Sequence, residues 1–339
     1  MKYFILILTV FTGGIITGWF SRNSNLSQSS SQLTSPVSSV PTPVPQPLLK
    51  YSFDNLRQSV FTPKTITLSD KIKDDGKFTN WLFIFESQEG RISGTANIPD
   101  ECGAAESKCP VVIMLRGYVV KEVYQPGTGT RKAAEVYANN GFITLAPDFL
   151  GFGTSDPEPE NEIESRLIKP ATVLQLLASI PNLSMADPEK VFLWGHSNGG
   201  QIGLSVLALT DKFKAASFWA PVSKPFPYSI LYYTDDLDDH GKYLRKAIFK
   251  FESVYDPELF SLNNYLDRIN TSVIVHQGTA DDSVPFKWSM DLVKSLQALK
   301  KKAVLYQYSG ADHNLMPVWN SVVNTDLQFF RKFTSPFAL

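Results

Sequence analysis

The sequence has few of the residues that build metal, nucleotide or nucleic-acid sites. Its 339 residues include only two cysteines and four histidines, with no Cys-x-x-Cys pair and no His-Glu-x-x-His motif, so zinc chemistry has no sequence support. A Gly-x-x-x-x-Gly-Lys loop for nucleotide phosphates is also absent. The net charge of -1, from 32 basic and 33 acidic residues, offers no electrostatic surface for nucleic acid. We therefore expect no metal, no organic cofactor and no nucleic-acid partner.

The two cysteines lie close together in the chain. Cys102 and Cys109 occupy one polar segment between Pro99 and Pro110. If the chain is exported, this spacing favours a local disulfide that closes a surface loop. The alternative is a pair of free thiols.

The N-terminus contains a long apolar run. Residues 3–20 are almost wholly apolar and lie between Lys2 and Arg22, close to the length of roughly 17 to 25 residues that crosses a bilayer as a helix. No small-x-small cleavage site and no lipobox cysteine follow it. We therefore favour an uncleaved signal anchor over residues 1–22, with the catalytic domain outside the cytoplasm, over a cleaved signal peptide and a secreted protein.

The next segment has the composition of a linker. Residues 23–47 are rich in serine and glutamine and then contain five prolines, and such a segment cannot bury enough apolar surface to fold. The folded domain is expected to cover residues 48–339, a length that can bury a sizeable core.

The remaining pattern predicts an α/β fold. Alternating residues at 64–68, 81–86 and 91–98 indicate antiparallel strands. Beyond Pro110, apolar strands alternate with helices, which is typical of a parallel sheet covered on both faces. The predicted strands are 111–115, 142–146, 191–194, 215–219, 273–276 and 303–308. The predicted helices are 131–139, 162–179 interrupted by Pro170, 200–209, 287–300 and 317–333.

Residues 221–269 interrupt this alternation and are rich in aromatic and acidic residues. An insertion after a strand at the C-terminal edge of the sheet would lie over the crevice as a helical cap, with Tyr232 and Tyr233 as candidate substrate contacts. The alternative is a helical excursion that packs beside the sheet and touches no substrate.

One short stretch carries the strongest functional signal. Gly195-His196-Ser197-Asn198-Gly199 follows an apolar strand and precedes a helical run. This is the Gly-x-Ser-x-Gly pattern of a nucleophile elbow, in which a strained turn raises the Ser197 hydroxyl above the sheet. The N-terminus of the following helix then directs backbone N–H groups at an oxyanion.

Three further motifs complete a resemblance to a known superfamily. They are the segment from His276 to Pro285, the Ser309-Gly310-Ala311-Asp312-His313 stretch, and the strand 111–115 that ends in Arg116-Gly117-Tyr118. With the elbow, they resemble the α/β-hydrolases, closest to the prolyl oligopeptidase catalytic domain and the dienelactone hydrolase-like esterases. The resemblance implies an α/β-hydrolase fold with a mostly parallel mixed sheet, covering residue 48 to the C-terminus.

The resemblance also implies roles for individual residues. The pattern Gly-x-x-Asp-x-x-Val-Pro places the triad acid on Asp281, with Asp282 as the neighbouring alternative that otherwise caps the helix near residue 286. The order Ser, Asp, His places the base on His313. The backbone N–H groups of Tyr118 and Asn198 are expected to form the oxyanion hole.

Arg116 departs from the family pattern, which usually has histidine before the glycine. It either orients a substrate carboxylate or pairs with a core acid such as Asp148, and we favour the structural role.

These residues predict a serine hydrolase that acts through an acyl-enzyme on Ser197. The substrate is a small ester or peptide. The first interpretation is a peptidase resembling the prolyl oligopeptidase family without its propeller. Too few residues precede the sheet for propeller blades, which weakens an oligopeptidase assignment and leaves an esterase or a propeller-free peptidase. A carboxylesterase of the dienelactone hydrolase type is the alternative, and a catalytically silent cell-surface binding module is the rival from another class. The sequence indicates no oligomeric state.

Overall fold

A computed structural model describes residues 44–103 and 107–334. The predicted signal anchor at residues 1–22 and nearly all of the predicted linker lie outside these residues. Within the described ranges, no helix combines the length and the apolar character that a membrane crossing requires. The first element is a 3₁₀ turn, Pro47–Tyr51, which buries Leu48 and Tyr51.

Within the described residues, nine strands form a single sheet in the order β1-β2-β3-β5-β4-β6-β7-β8-β9. The strands from β1 to β3, and β3 with β5, pair antiparallel, while all the pairs from β5 to β9 are parallel. The predicted mixed, mostly parallel sheet is confirmed. The strand bounds are Thr67–Asp74 (β1), Phe78–Ser87 (β2), Gly90–Pro99 (β3), Cys109–Leu115 (β4), Ile143–Pro147 (β5), Ala186–His196 (β6), Ala215–Trp219 (β7), Ser272–Gly278 (β8) and Ala303–Tyr308 (β9).

Helices cover both faces of this sheet. One core cluster joins the sheet to the side that carries α1, α3, α4 and α7, and a second cluster joins the other face to α2 and α8. The parallel strands β4, β5, β7 and β8 are buried on both sides, which explains why they are largely apolar in the sequence. The helix bounds are Phe53–Gln58 (α1), Arg131–Ala138 (α2), Glu162–Ser179 (α3), Asn198–Leu209 (α4), Tyr228–Leu231 (α5), Lys242–Glu252 (α6), Phe286–Ala298 (α7) and Trp319–Arg331 (α8).

Two predicted elements were wrong in detail. The predicted strand 64–68 instead begins at Thr67 and continues to Asp74. Lys64 does not pair with a strand, because its N–H donates to Ser179 Oγ at 3.0 Å and its carbonyl accepts from the Asn182 side chain. Helix α3 is also not interrupted at Pro170. Proline removes one helical N–H donor, and here the Asn161 cap and a buried C-terminal half stabilise the continuous helix.

The two cysteines are joined in the structure. Cys102 and Cys109 form a disulfide with 5.6 Å between their Cα atoms. Cys109 is the first residue of β4, so the bridge lies at the end of that strand opposite to Gly117.

The inserted segment 221–269 has two parts with different neighbours. Tyr232 and Tyr233 lie against Trp288 at the start of α7, with ring centroids 4.6 and 6.3 Å away. The later residues pack beside the sheet, where Phe251 and Tyr265 join the main core and Tyr265 stacks on Phe53 at 4.4 Å. The later part therefore packs beside the sheet, as the alternative predicted, while the first part contacts α7.

Candidate active site

Ser197 lies at the sharp turn between β6 and α4. Its backbone has φ 55° and ψ −119°. Residues other than glycine adopt this conformation only under strain. Its N–H donates to the Trp219 carbonyl at 2.9 Å, which ties the turn to the neighbouring strand. The flanking glycines are required by contact: a Cβ on Gly195 would lie 2.6 Å from the Gly199 carbonyl oxygen, and one on Gly199 would overlap the Leu115 carbonyl. The turn has the geometry of the predicted nucleophile elbow.

Asp281 and His313 meet on the loops that follow β8 and β9. His313 Nδ1 lies 3.0 and 2.9 Å from the two carboxylate oxygens of Asp281, and the Asp281 side chain is fully buried. Burial opposes ionisation of this carboxyl, but the hydrogen bonds from His313 and the Val284 N–H outweigh it and lower its pKa. Asp281 is therefore a buried carboxylate that holds the imidazole through Nδ1.

Asp282 has a different environment from its neighbour. It is exposed, and its carboxylate accepts a hydrogen bond from Ser283 Oγ at 3.1 Å. Helix α7 begins after Pro285 without a side-chain cap, so the expectation that Asp282 caps this helix was wrong.

Gln277 and Ser289 extend the contacts of Asp281, and sequence reasoning missed both. The Gln277 side-chain NH₂ donates to Asp281 Oδ2 at 2.7 Å, and the Ser289 hydroxyl donates to Gln277 Oε1 at 2.7 Å. Both side chains are fully buried. Gln277 directly precedes Gly278 of the acid motif, which is the signal that could have identified it.

His196 contacts the loop of His313, a role that the sequence did not reveal. Its Nε2 lies 2.9 Å from the His313 carbonyl oxygen, and the two ring centroids are 4.7 Å apart. Since a carbonyl oxygen only accepts, Nε2 must carry the ring proton. Burial and the nearby His313 lower the pKa of His196 to about 4, so this ring is neutral near pH 7.

Ser197 and His313 are brought to one edge of the sheet through this contact. Among the described residues, the Ser197 hydroxyl makes no hydrogen bond, so the link from serine to imidazole is not closed. Serine–imidazole bonds in catalytic sites are often long when no substrate is bound.

Two backbone N–H groups border Ser197. Gly117 approaches so closely that a Cβ on it would lie 3.1 Å from Ser197 Cβ. Tyr118 follows Gly117, and Asn198 is the first residue of α4. Within the described residues, the N–H groups of Tyr118 and Asn198 have no hydrogen-bond acceptor. The geometry leaves both donors available beside the Ser197 side chain.

Arg116 is buried beneath this strand end, with 6% of its surface exposed. Its guanidinium donates to the carbonyl oxygens of Gly117 at 3.1 Å and Asp148 at 3.2 Å. It stacks between the rings of Tyr124 and Phe152, 4.6 and 4.1 Å from their centroids. The Asp148 carboxylate instead accepts from Ser93 and Tyr124. Arg116 thus joins the end of β4 to the loop after β5 through main-chain carbonyls, which agrees with the structural role favoured from the sequence.

Tyr232 and Tyr233 form an aromatic wall with Trp288 beside the loop of Asp281. Tyr232 is 41% exposed, whereas the Tyr233 hydroxyl is buried and has no hydrogen-bond partner among the described residues. Burial, together with Tyr232 and Asp281, raises the pKa of Tyr233. Over residues 44–103 and 107–334, no group of three or more histidine, cysteine or carboxylate side chains could hold a metal ion.

Comparison with known families gives one match that covers most of the site. The model described as the Prolyl oligopeptidase family matches residues 129–335, more than half of the chain. Ser197, Asp281 and His313 all lie within that range. The match confirms the resemblance that the four motifs indicated.

Individual relatives are more distant. A dipeptidyl aminopeptidase-like protein of Schizosaccharomyces pombe is 28% identical over 123 residues, which cover 36% of this chain and 14% of that protein. The chain thus spans only a small part of this curated relative.

Similar solved structures include an acetyl xylan esterase and an acylaminoacyl peptidase. The acetyl xylan esterase 1 of Thermoanaerobacterium sp. JW/SL YS485 aligns over 86% of this chain and 95% of its own, with a TM-score of 0.61 and 18% identity. The Pyrococcus horikoshii acylaminoacyl peptidase aligns over 78% of this chain and 41% of its own, with a TM-score of 0.54 and 16% identity. At these identities the likeness shows the α/β-hydrolase fold alone.

Proposed function

The chain belongs to the prolyl oligopeptidase family, and from this premise we propose that it is a serine hydrolase that cleaves a small ester or peptide substrate through an acyl-enzyme on Ser197. The observation that carries the proposal is the buried Asp281–His313 pair, 2.9 Å apart, at the sheet edge where the strained Ser197 turn ends β6. A serine, an imidazole and an oriented carboxylate are the three groups that acyl transfer needs.

The first half-reaction acylates the serine. The imidazole Nδ1–H of His313 donates to Asp281, so a neutral ring has a free lone pair on Nε2 that takes the Ser197 proton. The serine oxygen then bonds to the substrate carbonyl carbon, and the carbonyl electrons move onto oxygen. Collapse of this tetrahedral intermediate breaks the bond to the leaving group, which takes the proton from His313.

The second half-reaction restores the serine. Water gives a proton to His313 while its oxygen bonds to the acyl carbon. Collapse then breaks the bond to Ser197, which regains its proton from the imidazole, and the acid product leaves. Throughout, the Asp281 carboxylate stays ionised and stabilises the imidazolium.

Two backbone donors stabilise the oxyanion in this mechanism. The N–H groups of Tyr118 and Asn198 are unpaired within the described residues and border Ser197, and Asn198 begins α4, where the helix dipole favours negative charge. In other serine hydrolases, losing one such donor costs about 10²- to 10³-fold in rate.

Peptide and ester substrates remain two versions of this proposal. The aromatic wall of Tyr232, Tyr233 and Trp288 would contact the substrate beside the triad, with the first part of the 221–269 segment acting as a cap. The match to the prolyl oligopeptidase family supports a peptidase. A carboxylesterase is favoured by one observation: this chain covers 95% of the acetyl xylan esterase but 41% of the acylaminoacyl peptidase.

Labelling with a fluorophosphonate probe tests the nucleophile. We expect the native chain to be labelled, Ser197→Ala to lose labelling, and Ser295→Ala, an exposed serine on α7, to be labelled at the native rate. Equal labelling of Ser197→Ala would overturn the assignment. A binding module without catalysis would instead bind a ligand equally well with Ser197→Ala and turn nothing over.

Substrate class is tested with matched chromogenic substrates. Hydrolysis of p-nitrophenyl acetate without turnover of aminoacyl p-nitroanilides identifies an esterase. The reverse preference identifies a peptidase.

A further inference from the structure

Two basic side chains of α3 face the end of the site that carries the oxyanion donors. Arg166 and Lys169 are three residues apart, so they lie on the same face of the helix. Lys169 Nζ lies 6.0 Å from the centre of the Phe149 ring, in the loop that follows β5. The buried guanidinium of Arg116 approaches the same loop, since its Nη2 donates to the Asp148 carbonyl. Three cations therefore converge on one small region.

Among the described residues, Arg166 and Lys169 form no ion pair. Across residues 44–103 and 107–334, neither side chain has a carboxylate within 4.0 Å, the distance that defines the ion pairs found elsewhere in the fold. The acids whose charges act on both cations are Glu162 and Glu158. The Glu158 carboxylate is already bound by Lys121 at 3.2 Å and by the Ser165 hydroxyl at 2.9 Å. The Asp148 carboxylate is likewise occupied by Ser93 and Tyr124.

Partial burial makes this excess of positive charge unfavourable, since Arg166 and Lys169 are half-buried and Arg116 is buried. The Nε atoms of both Arg166 and Arg116 are buried and lack a hydrogen-bond partner among the described residues. Burial, together with Arg166 and Arg116, lowers the pKa of Lys169 to about 7. Like charges that are partly withdrawn from water repel one another, and a bound anion would offset this repulsion.

The cations adjoin the proposed reaction centre. Arg116 Nη1 donates to the Gly117 carbonyl at 3.1 Å, and Gly117 lies directly against Ser197. Lys169 approaches Phe149, the residue that follows Asp148, whose carbonyl accepts from Arg116 Nη2 at 3.2 Å. An anion held by Lys169 and Arg166 would thus lie beside the loop after β5, on the side of Arg116 that leads to Gly117.

We propose that Arg166 and Lys169 form a subsite for a carboxylate on the substrate, so that the preferred ester or amide is one that carries a negative charge near the bond to be cleaved. This inference rests on the proposed serine hydrolase function. It gives a role to two side chains that the acyl-transfer mechanism does not use.

Matched esters test the subsite. The 4-nitrophenyl monoester of glutarate and 4-nitrophenyl pentanoate have acyl chains of equal length that differ in a terminal carboxylate. The pair 4-acetoxybenzoate and 4-acetoxybenzamide places the same difference on the leaving group. We expect kcat/KM at pH 7 to favour the charged member of at least one pair by about 10-fold, the effect of one charge-assisted hydrogen bond.

Variants locate the preference. Arg166→Gln and Lys169→Gln should each remove most of it by raising KM for the charged ester, with turnover of the neutral ester retained as evidence of folding. Lys294→Gln, an exposed lysine on α7, should keep the native preference. As a measurement that needs no variant, free glutarate should inhibit pentanoate hydrolysis competitively, and glutaramide should not.

The outcomes separate the two proposals. Hydrolysis of the neutral esters with no preference in either pair and no inhibition by glutarate would overturn the subsite and leave the serine hydrolase intact. A preference that persists in both α3 variants would also overturn it. Hydrolysis of no ester or anilide, with no probe labelling of Ser197, would remove the proposed function and this inference with it.

Discussion

The His196 imidazole, next to Ser197 in the chain, hydrogen-bonds the main-chain carbonyl of His313 at 2.9 Å. This bond joins the turn after β6 to the loop after β9, two segments that are 117 residues apart. It fixes the main chain of His313 from one side, while Asp281 fixes its ring from the other. In the proposed mechanism, His196 is therefore a positioning residue for the base.

Replacing His196 tests that role. His196→Ala removes one hydrogen bond, worth about 1 kcal/mol, so fluorophosphonate labelling of Ser197 should slow about 5-fold. His196→Gln places an amide N–H near the position of Nε2 and should restore much of the rate. Equal rates for the native chain and His196→Ala would show that the contact does not position the base.

His196 also makes stability depend on pH. Its folded-state pKa, about 4, is below the ordinary value of about 6.5, so the unfolded chain binds its proton first. The stabilisation from the neutral ring is complete above pH 6.5 and is lost as the pH falls towards 4. The pKa shift sets an upper limit of about 3 kcal/mol on the loss of unfolding free energy. The expected loss is smaller, because solvent screens a ring that is only partly buried.

Urea unfolding at pH 7.5 and 4.5 measures this loss. His196→Gln does not titrate, so its free energy of unfolding should fall less between the two pH values than that of the native chain. His240→Asn removes an exposed histidine at a positive φ that asparagine tolerates, and should behave as the native chain. An identical pH dependence for His196→Gln and the native chain would refute the linkage.

Gln277 is expected to position Asp281. Gln277→Leu has a similar volume but removes the amide that donates to the carboxylate at 2.7 Å. A hydrogen bond to a charged group is worth about 1.5 to 3 kcal/mol, so kcat should fall by about 10-fold or more, with KM unchanged. Ser289→Ala removes only the hydrogen bond from Ser289 to Gln277, which does not touch Asp281, and should have a smaller effect on kcat. An increase in KM with constant kcat would indicate substrate contact instead.

Local sequence motifs predicted the strand ends that carry the site residues and the Ser197 turn, because each motif specifies a backbone conformation. Glycines that permit a tight turn identify the Ser197 elbow, and the strand ends before Asp281 and His313 bring those two side chains together at one sheet edge. Contacts that depend on packing were not visible: His196 meets a carbonyl 117 residues away, and Asp282 lacks the capping role that its position suggested. The catalytic roles themselves stay predictions until the nucleophile is labelled.

Asp326 of α8 connects the second core to the strand that supports Ser197. Its fully buried carboxylate accepts hydrogen bonds from Ser217 Oγ at 2.6 Å, Trp219 Nε1 at 2.8 Å and Tyr137 OH at 2.9 Å. His276 Nε2 also lies 2.8 Å from Oδ1, though not in line for a hydrogen bond. The carboxylate thus has donors on both oxygens, and the Trp219 carbonyl in turn accepts the Ser197 N–H.

Asp326→Asn tests how much this buried network stabilises the fold. The variant turns one acceptor oxygen into an NH₂ group that faces donors, which leaves buried polar atoms unpaired. Breaking a buried charged network costs about 3 to 5 kcal/mol, measured as the change in the free energy of unfolding in urea. Asn324→Ala, an exposed neighbour on the same helix, should change stability by only about 0.5 kcal/mol. If Asp326→Asn were as stable as the native chain, the carboxylate would contribute nothing to stability beyond what an amide supplies, and Trp219 would hold the Ser197 turn without it.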